Sequence, residues 1–477
     1  MMFRHVSENI KYIFWGTGKV GTDILAIWND YGYEPDFFCC NDEKQWGQYK
    51  GGVKVISPEQ VYEIEEYVII VTCNAYSEVS QQLIERGVDP QIIIRANAMY
   101  DATWIAYMEK NLFATYNELN CNTEVLEGCL IDLSFGMILG GVERWNYSLA
   151  NDFQKNAIPY KFIVPNSNDV MVENITNTIN LNSEQQQASL LKETILTITN
   201  NMYKNVICNF PYAFFYAACF VKKYINKKLN IIVVFHNDEE ALYNAYIKYA
   251  DCIDHCLVIS SVIKKKLIDG GFPHNKIVDL FWKISDVCQL GDRTYHNYSE
   301  PIHIGYAGRI QIFQKRMDIL YNVLKKLYEE GIDFIANIAG TGDYLEIFDR
   351  QIHETEMADC VRFYGYIEHD KIFEFWKKND ICISCSDFEG HSISQSEAMA
   401  MGAVLVITNT SGAEDDVSDS DNGFIVPLAD VDAIVARIKE LYFNREKLAI
   451  MGEKSIKKII ERNKMMDTML FWKNILV

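Results

Sequence analysis

Two carboxylates, Glu389 and Glu397, stand eight residues apart in Ser386-Asp387-Phe388-Glu389-Gly390-His391-Ser392-Ile393-Ser394-Gln395-Ser396-Glu397. An apolar run, Ile381 to Cys385, enters this stretch. A segment rich in small residues leaves it, and a second apolar run, Ala403 to Thr408, follows. The pattern predicts strand, turn, helix and strand. In a parallel α/β sheet such turns lie at the carboxyl ends of the strands, where ligands bind. A helix start there offers free N–H groups and partial positive charge to phosphate or polar oxygen. Gly390 lacks a Cβ and lets a ligand approach the backbone. Carboxylates repel phosphate, so Glu389 and Glu397 suit the hydroxyls of a sugar or ribose. Ser394 and Glu397 also spell the S-x-x-E capping box, which would account for Glu397 without any ligand.

Other residues of this kind fall at similar places. The strand pattern Ile302 to Tyr306 runs into Gly308-Arg309, with Lys315 six residues on. Arginine can fork two oxygens and lysine supplies a point charge, a pair suited to a diphosphate; a surface charge pair is the alternative. Ile231 to Phe235 ends in His236-Asn237-Asp238, so His236 is either a chemical group or a satisfied structural histidine. Gly140-Gly141-Val142-Glu143-Arg144 precedes a helical pattern reaching about Phe153, again a turn and a helix start. Gly340-Thr341-Gly342 follows the strand pattern Phe334 to Ala339, and Gly365-Tyr366 follows Val361 to Tyr364.

These groups need elements to hold them. From the front, Ile10 to Trp15 reads as a buried strand entering Gly16-Thr17-Gly18-Lys19-Val20-Gly21 and a helix to about Tyr31. A second strand, Asp36 to Cys40, ends at Asn41-Asp42. This is the dinucleotide fingerprint in context. Gly16, Gly18, Gly21 and Asp42 therefore form either a nucleotide site or a turn kept for strand–helix packing. Ser57 and Pro58 start a helix as N-cap and first-turn proline. Val68 to Thr72, a helix Ser77 to Arg86 closed by Gly87, and Gln91 to Ile94 complete a small doubly wound unit. Asp101 to Asn120 reads as a linking helix, Gly128 to Phe135 and Lys161 to Pro165 as strands, and Asn166 to Asn201 as a polar, partly helical excursion. Phe210 to Lys228 is an aromatic helix with a basic end, which suits packing with a solvated end or contact with a membrane surface.

The 477 residues bound the answer to about three domains. Hydrophobic content of 49% and charged content of 23% describe a globular chain. A net charge of −20 argues against a nucleic-acid binder. Met1 to Asn9 lacks the order of a signal peptide, and Phe210 to Val221 is shorter than the roughly 20 residues a membrane span takes. Thirteen cysteines sit mostly inside apolar runs, as reduced core residues of a cytoplasmic protein do.

Taken together, E-x7-E followed by Ala398-Met399-Ala400, the Gly140-Gly141-Val142-Glu143 turn, the Gly308-Arg309…Lys315 pair, and the closing Ser411-Gly412-Ala413-Glu414 and Asn422-Gly423-Phe424 resemble the family-4 retaining glycosyltransferases of GT-B fold. The resemblance covers about residues 128 to 477. His391 and Ser392 depart from it, standing where the family has an aromatic residue and a proline. It implies an α/β GT-B fold of two facing Rossmann-like domains, preceded here by a smaller Rossmann-like domain. The expected spans are 1–115 with the linking helix, 122–297 on the acceptor side, and 298–463 on the nucleotide-sugar side, with 464–477 packing back on the middle domain. It further implies catalytic roles for His236, Glu389, Arg309 and Lys315. Donor contacts would come from Gly140, Gly141, Gly340, Gly342, Tyr366, Gly390, His391, Ser392 and Glu397. His391 and Ser392 would help select the sugar. The implied reaction is metal-independent hexosyl or N-acetylhexosaminyl transfer from a UDP-sugar, or alternatively a GDP-sugar, to a glycan, lipid-linked or protein acceptor. It would take place in the cytoplasm or peripherally at the inner face of the membrane. Two rivals are a non-catalytic GT-B partner that recognises an acceptor and an NAD-dependent oxidoreductase built on the first domain.

Overall fold

The computed structural model describes residues 10–30, 34–73, 76–89, 92–95, 125–133, 141–164, 177–181, 187–368, 370–465 and 468–476. Three sheets follow one another along the chain. The first contains β1 (Lys11–Trp15), β2 (Phe37–Cys39), β3 (Tyr49–Lys50), β4 (Val53–Ile56), β5 (Tyr67–Val71) and β6 (Ile93–Arg95), in the order β3-β4-β2-β1-β5-β6. Its described pairings are parallel apart from β3 with β4. Ser57 caps helix Pro58–Tyr62 through a full capping box with Gln60.

The second sheet contains β7 (Leu126–Asp132), β8 (Tyr160–Val164), β9 (Thr178–Asn180), β10 (Tyr203–Cys208), β11 (Asn230–Phe235), β12 (His255–Val258) and β13 (Ile277–Asp279), ordered β13-β12-β11-β10-β7-β8-β9. The third contains β14 (Ile302–Ala307), β15 (Phe334–Ala339), β16 (Val361–Gly365), β17 (Ile381–Ser384), β18 (Val404–Thr408) and β19 (Gly423–Val426), ordered β16-β15-β14-β17-β18-β19. Parallel strands covered on both faces are written as continuous apolar runs. Ile231 to Phe235 and Val404 to Ile407 are such runs, each residue fully buried.

In every sheet the chain starts near the middle, works to one edge, and then crosses to the other side. This reversal makes a switch point, between β7 and β10 in the second sheet and between β14 and β17 in the third. Helices starting on opposite faces leave a crevice there. Helix Gly141–Lys155 stands after β7, Met317–Glu329 after β14 and Ile393–Ala400 after β17. The two crevices face each other.

The aromatic segment forms helix Ala213–Tyr224, and Phe214 through Val221 are all buried. Lys222 pairs with Asp254. The apolar face that a membrane contact would use is thus committed to the domain core. Among the described residues, no helix is long and apolar enough to cross a membrane. The linking helix expected over Asp101 to Asn120 lies outside the described residues.

After the third sheet, helix Glu446–Met465 leads to helix Thr468–Ile475. Trp472 packs edge-on against Phe153, with ring centroids 5.2 Å apart. Asn230 Nδ2 donates to the Ile475 carbonyl at 2.8 Å. The chain end therefore rests on the domain of the second sheet.

Candidate active site

At the switch point of the third sheet, the turn after β17 is held by hydroxyls. Thr408 Oγ1 donates to the Ser386 carbonyl at 2.6 Å, and Ser411 Oγ donates to the Glu389 carbonyl. Glu389, 7% exposed, is held from three sides. Its Oε1 accepts from Lys315 Nζ and, at 2.7 Å, from Ser386 Oγ; its Oε2 accepts from Gln314 Nε2 at 3.3 Å. Gln314 Oε1 accepts in turn from Arg309 Nη2 at 2.7 Å. Arg309, Gln314, Lys315 and Glu389 thus form one connected cluster at the carboxyl ends of two neighbouring strands.

Backbone geometry explains the cluster's register. A Cβ on Gly340, whose φ is +133°, would lie 1.8 Å from the Gly308 carbonyl oxygen, and one on Gly342 would lie 2.1 Å from that of Ile310. These glycines let two turns pack backbone to backbone, with the Cβ side of each occupied by protein. Arg316, at φ +50°, forks Asp387 with Nη1 at 3.0 and 2.9 Å, fixing the segment that carries Lys315.

Ser392, not Ser394, caps helix Ile393–Ala400 by accepting from the Gln395 N–H. Ser394 Oγ instead donates to the Ala307 carbonyl at 2.8 Å. The S-x-x-E capping box is therefore not formed. Glu397 lies inside the helix, 1% exposed, and accepts from Arg144 Nη1 at 3.0 Å. Burial pushes its carboxyl up to about 7, against the opposing pull of Arg144 and the Trp376 indole.

The two positions that depart from the family pattern have internal partners. Ser392 is the cap. His391 Nε2 meets Asp416 Oδ1 at 3.1 Å and Arg462 Nη1 at 3.2 Å, and Arg462 Nη1 donates to the same Asp416 oxygen at 2.8 Å. Burial raises the Asp416 carboxyl, but His391 and Arg462 outweigh it and hold it below the usual range. Both side chains are thus held in place by the protein itself. Gly390 also serves the protein: a Cβ there would lie 2.1 Å from the His236 carbonyl oxygen. Its bareness lets the backbone of the facing domain come close.

His236 stands at the end of β11 on the opposite wall. Asn209 Nδ2 donates to the Asp132 carbonyl and to Asn146 Oδ1, so Asn209 presents its oxygen to His236 Nε2 at 2.8 Å. Nε2 must then carry the proton, leaving Nδ1 as an acceptor. Trp145 and Phe210 flank the ring, with centroids 5.3 and 5.6 Å away. Burial lowers the imidazole to about 3, so it is neutral.

The walls meet directly. Besides Arg144 on Glu397 and Gly390 against His236, Asp415 Oδ2 accepts from the Ser261 N–H at 2.8 Å, at the start of helix Ser261–Asp269. Tyr366, 49% exposed, neighbours Tyr147 of the opposite wall, whose hydroxyl is raised by burial and then by Tyr366. Gly141 begins its helix, while Gly140 lies outside the described residues.

Arg144, Asn209 and Gln314 belong to this constellation without having been singled out from the sequence. Arg144 and Gln314 adjoin motifs that were, and adjacency was the available signal. Asn209 carried none, because its partners lie 63 and 77 residues away.

In the first domain, Cβ atoms on Gly16 and Gly21 would meet the Thr72 carbonyl at 2.8 Å and the Gly16 carbonyl at 2.2 Å, while Gly18 is open. Asp42 accepts from the Lys44 N–H and from Gln45 Nε2, and Gln45 Oε1 accepts from Thr17. Two of the three glycines are explained by packing, and Asp42 is engaged by its own turn.

Residues 293–458 match the family described as Glycosyl transferases group 1, and residues 8–94 match C2185-like, N-terminal. A glycosyltransferase from Rickettsia africae is similar at TM-score 0.58 and 18% identity, over 73% of this chain and 98% of its own. The fold is GT-B. Anabaena Alr3699/HepE, solved with UDP and glucose, shares this GT-B architecture at TM-score 0.57 and 14% identity, over 72% of this chain and all of its own. A GDP-mannose-dependent alpha-(1-6)-phosphatidylinositol monomannoside mannosyltransferase from Mycolicibacterium smegmatis is 30% identical over 146 residues, 29% of this chain and 38% of that protein. The aligned part spans about a third to a half of the length of the curated relatives it matches.

Proposed function

We propose that this chain is a retaining glycosyltransferase that moves a hexosyl or N-acetylhexosaminyl group from a nucleotide sugar to a glycan, lipid-linked or protein acceptor. The observation that carries this reading is the connected Arg309–Gln314–Lys315–Glu389 cluster at a switch point, opposite neutral His236. A UDP-sugar is favoured and a GDP-sugar comes second; the structural neighbour solved with UDP supports the first and the GDP-mannose-dependent relative the second.

Cations at the strand mouth suit the departing diphosphate. Arg309 and Lys315 would stabilise its developing charge electrostatically, with the helix start after Ser392 adding its dipole. These groups do the neutralising in a reaction that proceeds without a divalent metal. Glu389 would orient the sugar hydroxyls beside Lys315. Its oxygens already accept from Lys315, Ser386 and Gln314, which leaves a poor nucleophile. The reaction then runs on one face. The bond from the anomeric carbon to the phosphate oxygen breaks, the bond to the acceptor oxygen forms on the same side, and the acceptor proton passes to the leaving phosphate. His236 would offer Nδ1 to a sugar hydroxyl from across the cleft.

Glu389→Gln keeps the shape and removes the charge. Transfer should fall by at least about a hundredfold while UDP or GDP still binds. Wild-type turnover in this variant would remove Glu389 from the mechanism.

A further inference from the structure

Glu397 is an uncommon place for a carboxylate. It lies inside a helix with no capping role, 1% exposed, beneath the mouth of the third sheet. A buried charge is costly unless a partner offsets it. The partner comes from elsewhere: Arg144 belongs to the helix at the switch point of the other domain, and its Nη1 reaches Glu397 Oε1 at 3.0 Å. Arg144 itself keeps a 25% exposed side chain at the cleft. Its helix also brings Trp145 to His236 and Asn146 to Asn209, so one helix start touches both walls. We infer that Arg144 is a positioning residue: reaching across the cleft, it holds the Glu397 carboxylate oriented for the ribose hydroxyls, so that the nucleoside site is complete only when the two domains are apposed. This rests on the donor-cleft reading above.

Among the described residues, the groups facing Glu397 include the following three. Arg144 comes from helix Gly141–Lys155, the uncharged Trp376 indole from helix Ile372–Lys377, and the buried thiol of Cys382 from β17, itself raised first by burial and then by Glu397. Helix Ile393–Ala400 carries no other charged residue. Among the described residues, Arg144 is the cation that opposes protonation of this carboxylate. Removing it lets burial raise the carboxyl beyond about 7, and a protonated Glu397 accepts ribose hydroxyls poorly. Nucleotide affinity should then recover only at more alkaline pH.

The test is calorimetric titration of the full chain with UDP, GDP and 2′,3′-dideoxy-UDP between pH 6 and 9, for wild type, Arg144→Gln and Arg144→Lys. At pH 7 Arg144→Gln should weaken UDP binding roughly tenfold and shift its pH profile to higher pH. It should leave dideoxy-UDP affinity unchanged. Arg144→Lys should restore most of the UDP affinity and the original profile. Equal weakening toward UDP and dideoxy-UDP, or a wild-type pH profile in Arg144→Gln, would overturn the role of Arg144 while leaving the donor cleft standing. Wild type that binds neither UDP nor GDP at any pH would overturn both.

Discussion

Glu397 carries a measurable consequence at the scale of one residue. Its carboxyl is pushed from 4.5 to about 7 by burial, with Arg144 and Trp376 opposing. The folded chain therefore keeps a proton that the unfolded chain has released. The stability this supplies is fully present below about pH 4.5 and is lost as pH rises toward about 7. Glu397→Gln cannot ionise. Relative to it, the wild type should lose up to about 3 kcal/mol across that window and run parallel above it. Urea unfolding of the two proteins across pH checks this; curves parallel throughout would show that Glu397 is not a buried, proton-holding group.

At the scale of elements, much was legible because parallel strands and their turns have strong signatures. Ile231 to Phe235 and Val404 to Ile407 are unbroken apolar runs, and Gly16, Gly340 and Gly390 mark tight places. What the glycines admit was not legible. The sequence reads Gly340 and Gly390 as room for a ligand and Gly16 as a nucleotide turn or a packing turn; the Cβ side of Gly340 and of Gly390 faces neighbouring backbone. Strand Tyr203–Cys208 was hidden for a related reason. It lies at the centre of its sheet yet contains Asn205, whose amide is satisfied by the Gly128 carbonyl and by Asn230, contacts that only the fold creates. Ser394 and Glu397 fit a capping box by spacing, but Ala307 and Arg144 claim them from 87 and 253 residues away. The packing at Gly390 gives a prediction of its own. A Cβ there would lie 2.1 Å from the His236 carbonyl, so Gly390→Ala should push the walls apart at a cost on the order of 1–3 kcal/mol. Small-angle scattering should report a larger radius of gyration than the wild type. An unchanged radius together with an unchanged melting temperature would mean that this contact does not set the closure.

For the whole molecule, two doubly wound domains meet at their switch points, and the C-terminal helix Thr468–Ile475 ties the chain end back across them. Such a cleft excludes water around whatever it closes on, which strengthens every charge interaction inside it. The cations of one domain, its two carboxylates, and the neutral histidine and arginine of the other converge only in the assembled molecule. The smaller front domain brings a third switch point whose glycines are mostly committed to packing, so donor chemistry is expected from the GT-B pair. Incubating the full chain with a panel of UDP-, GDP- and ADP-sugars tests this most directly, scored by thermal shift and by slow donor hydrolysis. One donor, with UDP-sugars favoured, should stabilise the fold, by about 2.7 kcal/mol at roughly 100 times its dissociation constant, and should release its nucleotide. A panel in which no donor shifts the melting temperature and none is hydrolysed would contradict the glycosyltransferase account.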